Sequence, residues 1–310
     1  MRVAIAGTGG LGGYYGAMLA RAGHEVACIA RGAHLQAIRE RGLTLRSDEA
    51  GEFTVAVAAS DDPRDIGPVD LVIFGVKSYD TDALAARLPP LMGPATLVLS
   101  LQNGVDNEDR IARVVGLNAV LGGVVYRTAH VAAPGLIVEG GLSGHLRFGE
   151  LAGGTSPRTE QLLKTFHAAG LAAELSPNIR VVLWEKFLSI VAGGSLSGLT
   201  RLPYRALCSC PETFALCRGM MEEAVAVARA LGVQLPDDAI ARQLAVLAGA
   251  SPTVRSSLSR DLAAGRRIEL DAFNGAIVRL GREHNVPTPL NFAVCAALLP
   301  ANGTHPRSNA

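Results

Sequence analysis

Arg2-Val3-Ala4-Ile5-Ala6-Gly7-Thr8-Gly9-Gly10-Leu11-Gly12-Gly13, running on into Tyr14-Tyr15-Gly16-Ala17-Met18-Leu19-Ala20-Arg21, decides the fold. A short apolar run enters a glycine turn, and the turn enters a largely apolar stretch of helical character: strand, turn, helix. Ala22-Gly23-His24 ends that helix, and residues 25–30 read as a second buried strand, so two strands enclose one helix as a βαβ unit requires. Further strand-and-helix pairs are predicted from the apolar runs at 70–76, 96–101 and 119–125.

Residues 43–59 alternate apolar and polar positions around Asp48-Glu49-Ala50-Gly51, which predicts a hairpin inserted into an otherwise parallel pattern. Residues 134–149 are again strand-like and rich in glycine, predicting a mixed sheet edge before a helix near 161–169. From about Pro177 onward the period is helical, with apolar stripes at 179–191, 213–231, 239–247, 256–264 and 270–284. The fold expected is therefore α/β: an N-terminal Rossmann-type doubly wound sheet over 1–173 and a C-terminal all-helical domain over 174–310, with a mobile tail at 301–310.

With 310 residues the chain is long enough for two domains, and with 49% hydrophobic residues it can bury a full core. Its 29 basic and 28 acidic side chains nearly cancel, leaving no field to attract nucleic acid or an anionic membrane surface. The apolar run begins directly after Met1-Arg2, and none approaches the roughly 18 residues of a membrane span, so a cytoplasmic protein is expected. Five cysteines without framework spacing fit free thiols in a reducing compartment. Cys208, Cys210 and Cys217 cluster, but no nearby histidine completes a metal site, and none is expected; Cys28 reads as core.

Gly7, Gly9 and Gly12 give GxGxxG spacing: one for the turn, one for close approach of a pyrophosphate, one for packing helix on strand. Together with Thr8, Gly10 and Leu11 they form a candidate dinucleotide cradle at a helix N-terminus. Where an NAD site carries Asp or Glu after the second strand, this chain has Arg31, whose guanidinium suits the 2′-phosphate of NADP(H); a solvated surface cation is the alternative. Lys77 and Asn103 each follow an apolar, parallel-type strand, at the carboxyl ends where open α/β sheets bind ligands. Taken alone, they also fit a loop cation and a turn residue before Gly104.

The glycine turn, Arg31, Val76-Lys77-Ser78, Leu101-Gln102-Asn103-Gly104, Trp184-Glu185-Lys186 and Glu269-Leu270-Asp271-Ala272-Phe273-Asn274-Gly275, in this order, resemble the ketopantoate reductase (2-dehydropantoate 2-reductase) family over about residues 1–300. The resemblance implies a Rossmann domain joined to a helical domain, with NADPH and a 2-oxo acid meeting in the cleft between them. It implies reduction of ketopantoate to D-pantoate, a step toward pantothenate and coenzyme A. By motif, Lys77 corresponds to the lysine near the adenosine phosphate and Asn103 to the asparagine at the nicotinamide end and the substrate. Lys186 corresponds to the general acid, Ser257 to a substrate-binding serine and Glu269 to the acidic partner.

The chain departs from the family at one place. Members with ketopantoate activity commonly carry asparagines four and eight residues after the catalytic lysine, where this chain has Ile190 and Gly194 in its candidate substrate-binding set. That departure opens a second possibility, a related D-2-hydroxy acid dehydrogenase acting on another branched or aromatic 2-oxo acid. A noncatalytic NADP(H) sensor is a third, against which the retained Lys186, Asn103 and Glu269 argue. The apolar helical domain is compatible with a homodimer.

Hydride transfer to a ketone builds negative charge on the oxygen, and a lysine can supply both a positive charge and a proton there. Its ordinary pKa of about 10.4 keeps it protonated. Read alone, Lys186 also fits a lysine snorkelling along an amphipathic helix. With about 3.6 residues per turn, positions 186, 190 and 193 or 194 share a stripe, so Ile190 and Gly193-Gly194 are expected to flank the ammonium and admit a bulkier, less polar substituent; a different helix packing is the alternative. Glu269, after Arg266-Arg267, fits a surface ion pair as well, and Ser257, like Ser256 and Ser259, a helix cap. Asn274 either satisfies backbone or touches cofactor. His24 sits in a turn before the second strand, and His130, His145, His167 and His284 have no acidic partner recognisable in the sequence, so none competes with Lys186.

Overall fold

The computed structural model describes residues 1–140 and 144–302. The mobility expected of 301–310 falls outside these residues beyond Asn302. Packing divides the chain into two units, one formed by Met1–Gln102 and Asn107–Val182, the other by Asn103–Asp106 and the chain from Leu183 onward.

Unit 1 runs β1 (Arg2–Ala6), α1 (Gly10–Arg21), β2 (Glu25–Ile29), α2 (Gly32–Arg41), β3 (Leu43–Ser47), β4 (Gly51–Val55), β5 (Ala58–Ser60), β6 (Leu71–Phe74), α3 (Thr81–Ala85), β7 (Leu97–Ser100), α4 (Asn107–Val115), β8 (Val120–Val125), β9 (Ala129–Ala133), β10 (Leu136–Glu139), β11 (Leu146–Glu150), α5 (Pro157–Ala168) and β12 (Ala173–Leu175). Eight strands form one sheet in the order β12-β11-β8-β7-β6-β1-β2-β5. From β5 to β8 it is parallel, and β6, β7 and β8 are buried along their whole length, as strands covered on both faces must be. β11 runs antiparallel to β8 and supplies the expected mixed edge. Strand order reverses at β1, between β2 and β6, so the carboxyl ends of β1 and β6 flank the topological switch point.

The hairpin over 43–59 forms, but it does not sit in this sheet. β3 pairs antiparallel with β4 and parallel with β10, and β10 pairs antiparallel with β9, giving a separate sheet in the order β4-β3-β10-β9. Only the last residues of the stretch, in β5, join the edge of the large sheet. The small sheet lies on α1, and buried Arg127 ties it there: its guanidinium donates to Glu139 and to Glu49 Oε2 at 2.9 Å, and stacks 4.8 Å from the Tyr14 ring centre. His34, with no role expected from the sequence, adds a second tie by accepting from Gly135 N at 3.0 Å through Nδ1.

The boundary expected between 173 and 174 would cut β12, whose Ala173–Leu175 pairs with Leu146–Phe148 in the large sheet. The division lies instead inside α6 (Ile179–Ser189), between Val182 and Leu183. Among the described residues, unit 2 has helices and no strand, and beyond the end of α6 these include α7 (Ser195–Thr200), α8 (Tyr204–Ser209), α9 (Pro211–Ala230), α10 (Ala239–Ala248), α11 (Ser257–Ala263), α12 (Asn274–Glu283) and α13 (Pro289–Leu298). The single helix expected over 270–284 is broken at Phe273, where φ −103° and ψ −101° separate a tight turn at Leu270–Ala272 from α12. No predicted stripe covers α13, because apolar residues surround it and leave no period to detect. No helix of the described residues is long and apolar enough to cross a membrane.

Candidate functional site

Each glycine of the opening turn has a separate reason to lack a side chain. Gly7 has φ +101°, and a Cβ there would sit 2.5 Å from Val76 Cγ1, at the end of β6. A Cβ on Gly12 would run into the carbonyl oxygen of Gly7, and on Gly16 it would lie 2.9 Å from Ile5 Cγ1, so both hold α1 tight on β1. Gly9 differs: a Cβ there would meet nothing within 4 Å. Gly9 is also the N-cap of α1 and provides no side chain to cap the N–H groups of the first turn. Gly9 is thus the one glycine of this turn that internal packing does not require, and the space beside it could hold a pyrophosphate.

Gly10 and Gly13 serve another purpose, which the sequence did not disclose. A Cβ on Gly10 would collide with the backbone of Ala129 in β9, and one on Gly13 would lie 2.6 Å from Ile137 in β10. They seat the small sheet on the first turns of α1. Thr8 is buried, with its N–H and hydroxyl both donating to the carbonyl of Ile29 at 3.1 and 3.0 Å, which locks the turn onto the end of β2. Arg31 follows immediately, exposed and extended at the N-cap of α2. Lys77 is partly exposed on extended backbone three residues after β6, directly beyond the Val76 that a Gly7 side chain would meet. The glycine turn, Arg31 and Lys77 are thus gathered at the carboxyl ends of β1, β2 and β6.

In unit 2 the structure brings Lys186 and Asn103 together: Lys186 Nζ donates to Asn103 Oδ1 at 2.8 Å. Burial of the amine disfavours its charged form and lowers the pKa to about 8. Lys186 stands in the last turn of α6. The next residues, Ile190–Gly194, form a widened π-helical turn before the helix resumes as α7. Such turns often occur at functional sites.

The widened turn corrects the arithmetic of the stripe. Gly193 is committed to packing, since a Cβ there would lie 2.7 Å from Leu247 Cδ1. Gly194 stays beside Ile190: its Cβ would make ordinary contacts, 4.0 Å from Ile190 Cγ2 and 3.9 Å from Ser256 Cβ, and its backbone is α-helical. Neither strain nor crowding requires glycine at 194.

Side chains from other elements take up carbonyls in and around this turn. Asn274 Nδ2 donates to Val191 O at 3.1 Å, and Ser256 Oγ to Gly194 O at 2.8 Å. Asn274, fully buried, also accepts from Ser195 Oγ and donates to Asn291 Oδ1 at 2.9 Å. Asn291 Nδ2 continues to Glu223 Oε2 at 2.7 Å. Asn274 therefore satisfies backbone. Ser256, not Ser257, caps α11, accepting from Ser259 N at 2.9 Å, and Ser257 is left partly exposed at the first helical position. Glu269 is buried before the Leu270–Ala272 turn, and Arg266 pairs with Asp261 at 2.8 Å. His145 does have a carboxylate beside it, Glu174 at 3.1 Å, on the exposed far edge of the large sheet.

Ser195, Asn291 and Glu223 have no role foreseen from the sequence. A lone asparagine in the apolar run 289–298 was the available signal.

Comparison with known proteins agrees with the family resemblance read from the sequence. The family model described as "Ketopantoate reductase PanE/ApbA" matches residues 3–153, and that of its C-terminal part matches residues 178–301. The chain belongs to the ketopantoate reductase family. The 2-dehydropantoate 2-reductase of Mesorhizobium japonicum is 35% identical over 96% of either chain. A PanE/ApbA-family ketopantoate reductase from Ralstonia eutropha JMP134 superposes with a TM-score of 0.89 at 41% identity, covering 97% of this chain and 98% of its own. D-mandelate dehydrogenase, in a ternary structure with NADH and anilino(oxo)acetate, gives a TM-score of 0.88 at 25% identity, covering 97% and 98%. As a ketopantoate reductase family member the chain is a nicotinamide-dependent oxidoreductase acting on a small molecule.

Proposed function

We propose that this family member reduces ketopantoate to D-pantoate with NADPH, in the cytoplasm and as a step toward pantothenate, using Lys186 as general acid. The observation that carries the reading is the 2.8 Å hydrogen bond from Lys186 Nζ to Asn103 Oδ1 on an amine whose pKa burial lowers to about 8. The ammonium is then charged at neutral pH yet poised to release its proton, which is where a general acid works best. The nicotinamide, when bound, supplies the hydride.

The rest is the work of the chain. The N–H groups of the glycine turn hold the pyrophosphate, Arg31 takes the 2′-phosphate and Lys77 lies toward the adenosine phosphate. Lys186 places its charge on the carbonyl oxygen of the 2-oxo acid and protonates it as the alkoxide develops. Asn103 orients the ammonium. Ser257, relieved of capping by Ser256, is assigned to the substrate, and Glu269 is the acidic partner.

A second reading has specific support. Ile190 and the unforced Gly194 offer apolar surface and space where an amide pair is expected, and the fold matches D-mandelate dehydrogenase in its NADH complex. The test is kcat/KM for ketopantoate against phenylglyoxylate and 4-methyl-2-oxopentanoate, each with NADPH and NADH, because specificity is a ratio of such values. Preference for ketopantoate and NADPH supports the first reading. Preference for an aromatic or branched apolar acid, with equal use of NADH, replaces it with the second. Tight NADPH binding without turnover of any 2-oxo acid points to a sensor.

A further inference from the structure

Asn103–Asp106 packs with unit 2, while the residues flanking this connection, Gln102 and Asn107, belong to unit 1. Both flanks are tied to one hydroxyl. Gln102 Nε2 donates to Thr81 Oγ1 at 2.8 Å, and Thr81 Oγ1 donates to Asn107 Oδ1 at 3.1 Å. Gln102 Nε2 also donates at 2.9 Å to the carbonyl of Val76, the residue before Lys77. Thr81 and Asn107 are fully buried and Gln102 nearly so, and hydrogen bonds chained in a low dielectric reinforce one another. Arg110 braces the same corner, with two 2.9 Å bonds to Asp82, the neighbour of Thr81. Within unit 2 the connection is held through Asp106, which accepts from Arg279 at 2.5 Å, and through Asn103, which accepts from Lys186.

We propose that Thr81 is a positioning residue for the reduction: by joining both flanks of the connection, its hydroxyl holds Asn103 Oδ1 against the Lys186 ammonium. The proposal rests on the reading of Lys186 as general acid. A hydroxyl is needed because the group must accept from Gln102 and donate to Asn107 at once. Valine has nearly the same shape and does neither; serine does both. Without the tie, the two flanks are no longer fixed to each other and Asn103 is held less firmly against the amine, and an ammonium whose acceptor recedes holds its proton less firmly.

The experiment compares the unaltered chain with Thr81→Val and Thr81→Ser. It measures ketopantoate reduction against pH, NADPH affinity by fluorescence titration, and the titration of Lys186 by NMR of lysine-labelled protein. Thr81→Val is expected to lower kcat about tenfold while the NADPH Kd changes less than about twofold. It is also expected to move the Lys186 titration and the basic limb of the profile to lower pH, and Thr81→Ser to restore all three. Should Thr81→Val fold poorly, Gln102→Leu cuts the same chain at its other end with the same expected result. Unchanged kcat and an unmoved Lys186 titration in either folded variant overturn the proposal, as does equal loss of kcat and NADPH affinity that serine fails to rescue. If the unaltered protein reduces no 2-oxo acid, the functional reading fails, and the NMR titration alone still decides whether Thr81 positions Asn103.

Discussion

Lys186 Nζ lies 2.8 Å from Asn103 Oδ1, and the two groups act in opposite senses on one proton. Burial lowers the pKa of the amine to about 8, while an amide oxygen accepting from the ammonium favours the charged form. A general acid must be protonated, so kcat/KM for reduction should be level below pH 8 and fall above it. Oxidation of the hydroxy acid, which needs the free amine, should rise through the same value. Lys186→Ala should lower kcat by about 100-fold or more, leave NADPH affinity nearly unchanged and remove this limb. Near-normal turnover at neutral pH would show that Lys186 is a packing residue.

The same lysine should weaken the fold at neutral pH. Its folded pKa of about 8 lies below the ordinary 10.5, so between those values the unfolded chain binds more protons and stability rises with pH. The penalty is fully present below pH 8 and is lost as pH rises to 10.5. Lys186→Met should therefore stabilise the protein at pH 7, by about 1 to 3 kcal/mol once partial exposure is allowed for. Denaturant unfolding should show the gain shrinking toward zero above pH 10.5. A gain that persists unchanged at high pH would assign it to packing.

The glycine turn separates ligand binding from folding. Gly9→Ala adds a methyl that meets nothing within 4 Å, on a backbone of φ −82° that alanine adopts freely, so the melting temperature should hold. NADPH affinity should drop about tenfold or more if the pyrophosphate approaches there. Gly12→Ala, which drives a methyl into the Gly7 carbonyl, should lower both. Equal NADPH affinity in Gly9→Ala and the unaltered chain would move the pyrophosphate elsewhere.

Arg31 stands exposed at the end of β2 beside the Thr8 tie, with no partner needed to hold the fold. Arg31→Ala should leave stability unchanged and erode the preference for NADPH over NADH by about tenfold or more, the range of a charge-assisted contact to phosphate. Equal kcat/KM for the two cofactors in the unaltered chain would end the assignment to NADP(H).

Much of the fold was legible because period and punctuation survive in the local sequence. The strands at β1, β2, β6, β7 and β8 are short apolar runs ended by glycine or polar residues, and their burial on both faces makes them distinct. The separate small sheet was hidden, because pairing of β3 with β10 joins residues far apart in the chain, and Gly10 and Gly13 look like part of the phosphate fingerprint. Among the candidate site residues, Lys186, Asn103 and Arg31 were singled out through motif and position. Asn274 and Asn291 were not assignable, since their partners are backbone and side-chain groups brought together only by folding, and the widened turn at Ile190–Gly194 has no periodic signature over so few residues.

Ile190 is the residue through which the proposed function ties that turn to substrate choice. It is partly exposed at the start of the widened turn, and Gly194 remains its neighbour across it. The backbone does not call for a polar side chain there, because the Val191 and Gly194 carbonyls are already held by Asn274 and Ser256. An amide introduced by Ile190→Asn is therefore left for the substrate. Ketopantoate carries a hydroxyl that an apolar 2-oxo acid lacks, so the variant should raise kcat/KM for ketopantoate relative to phenylglyoxylate by up to about tenfold, the worth of one hydrogen bond of about 1 kcal/mol. NADPH affinity and melting temperature serve as controls and should stay close to those of the unaltered chain. If both controls hold and the ratio is unchanged, or shifts toward the apolar acid, then Ile190 does not face the substrate. In that event the widened turn has rotated position 190 off the Lys186 stripe, and selectivity must be sought at Ser257 and Glu269 instead.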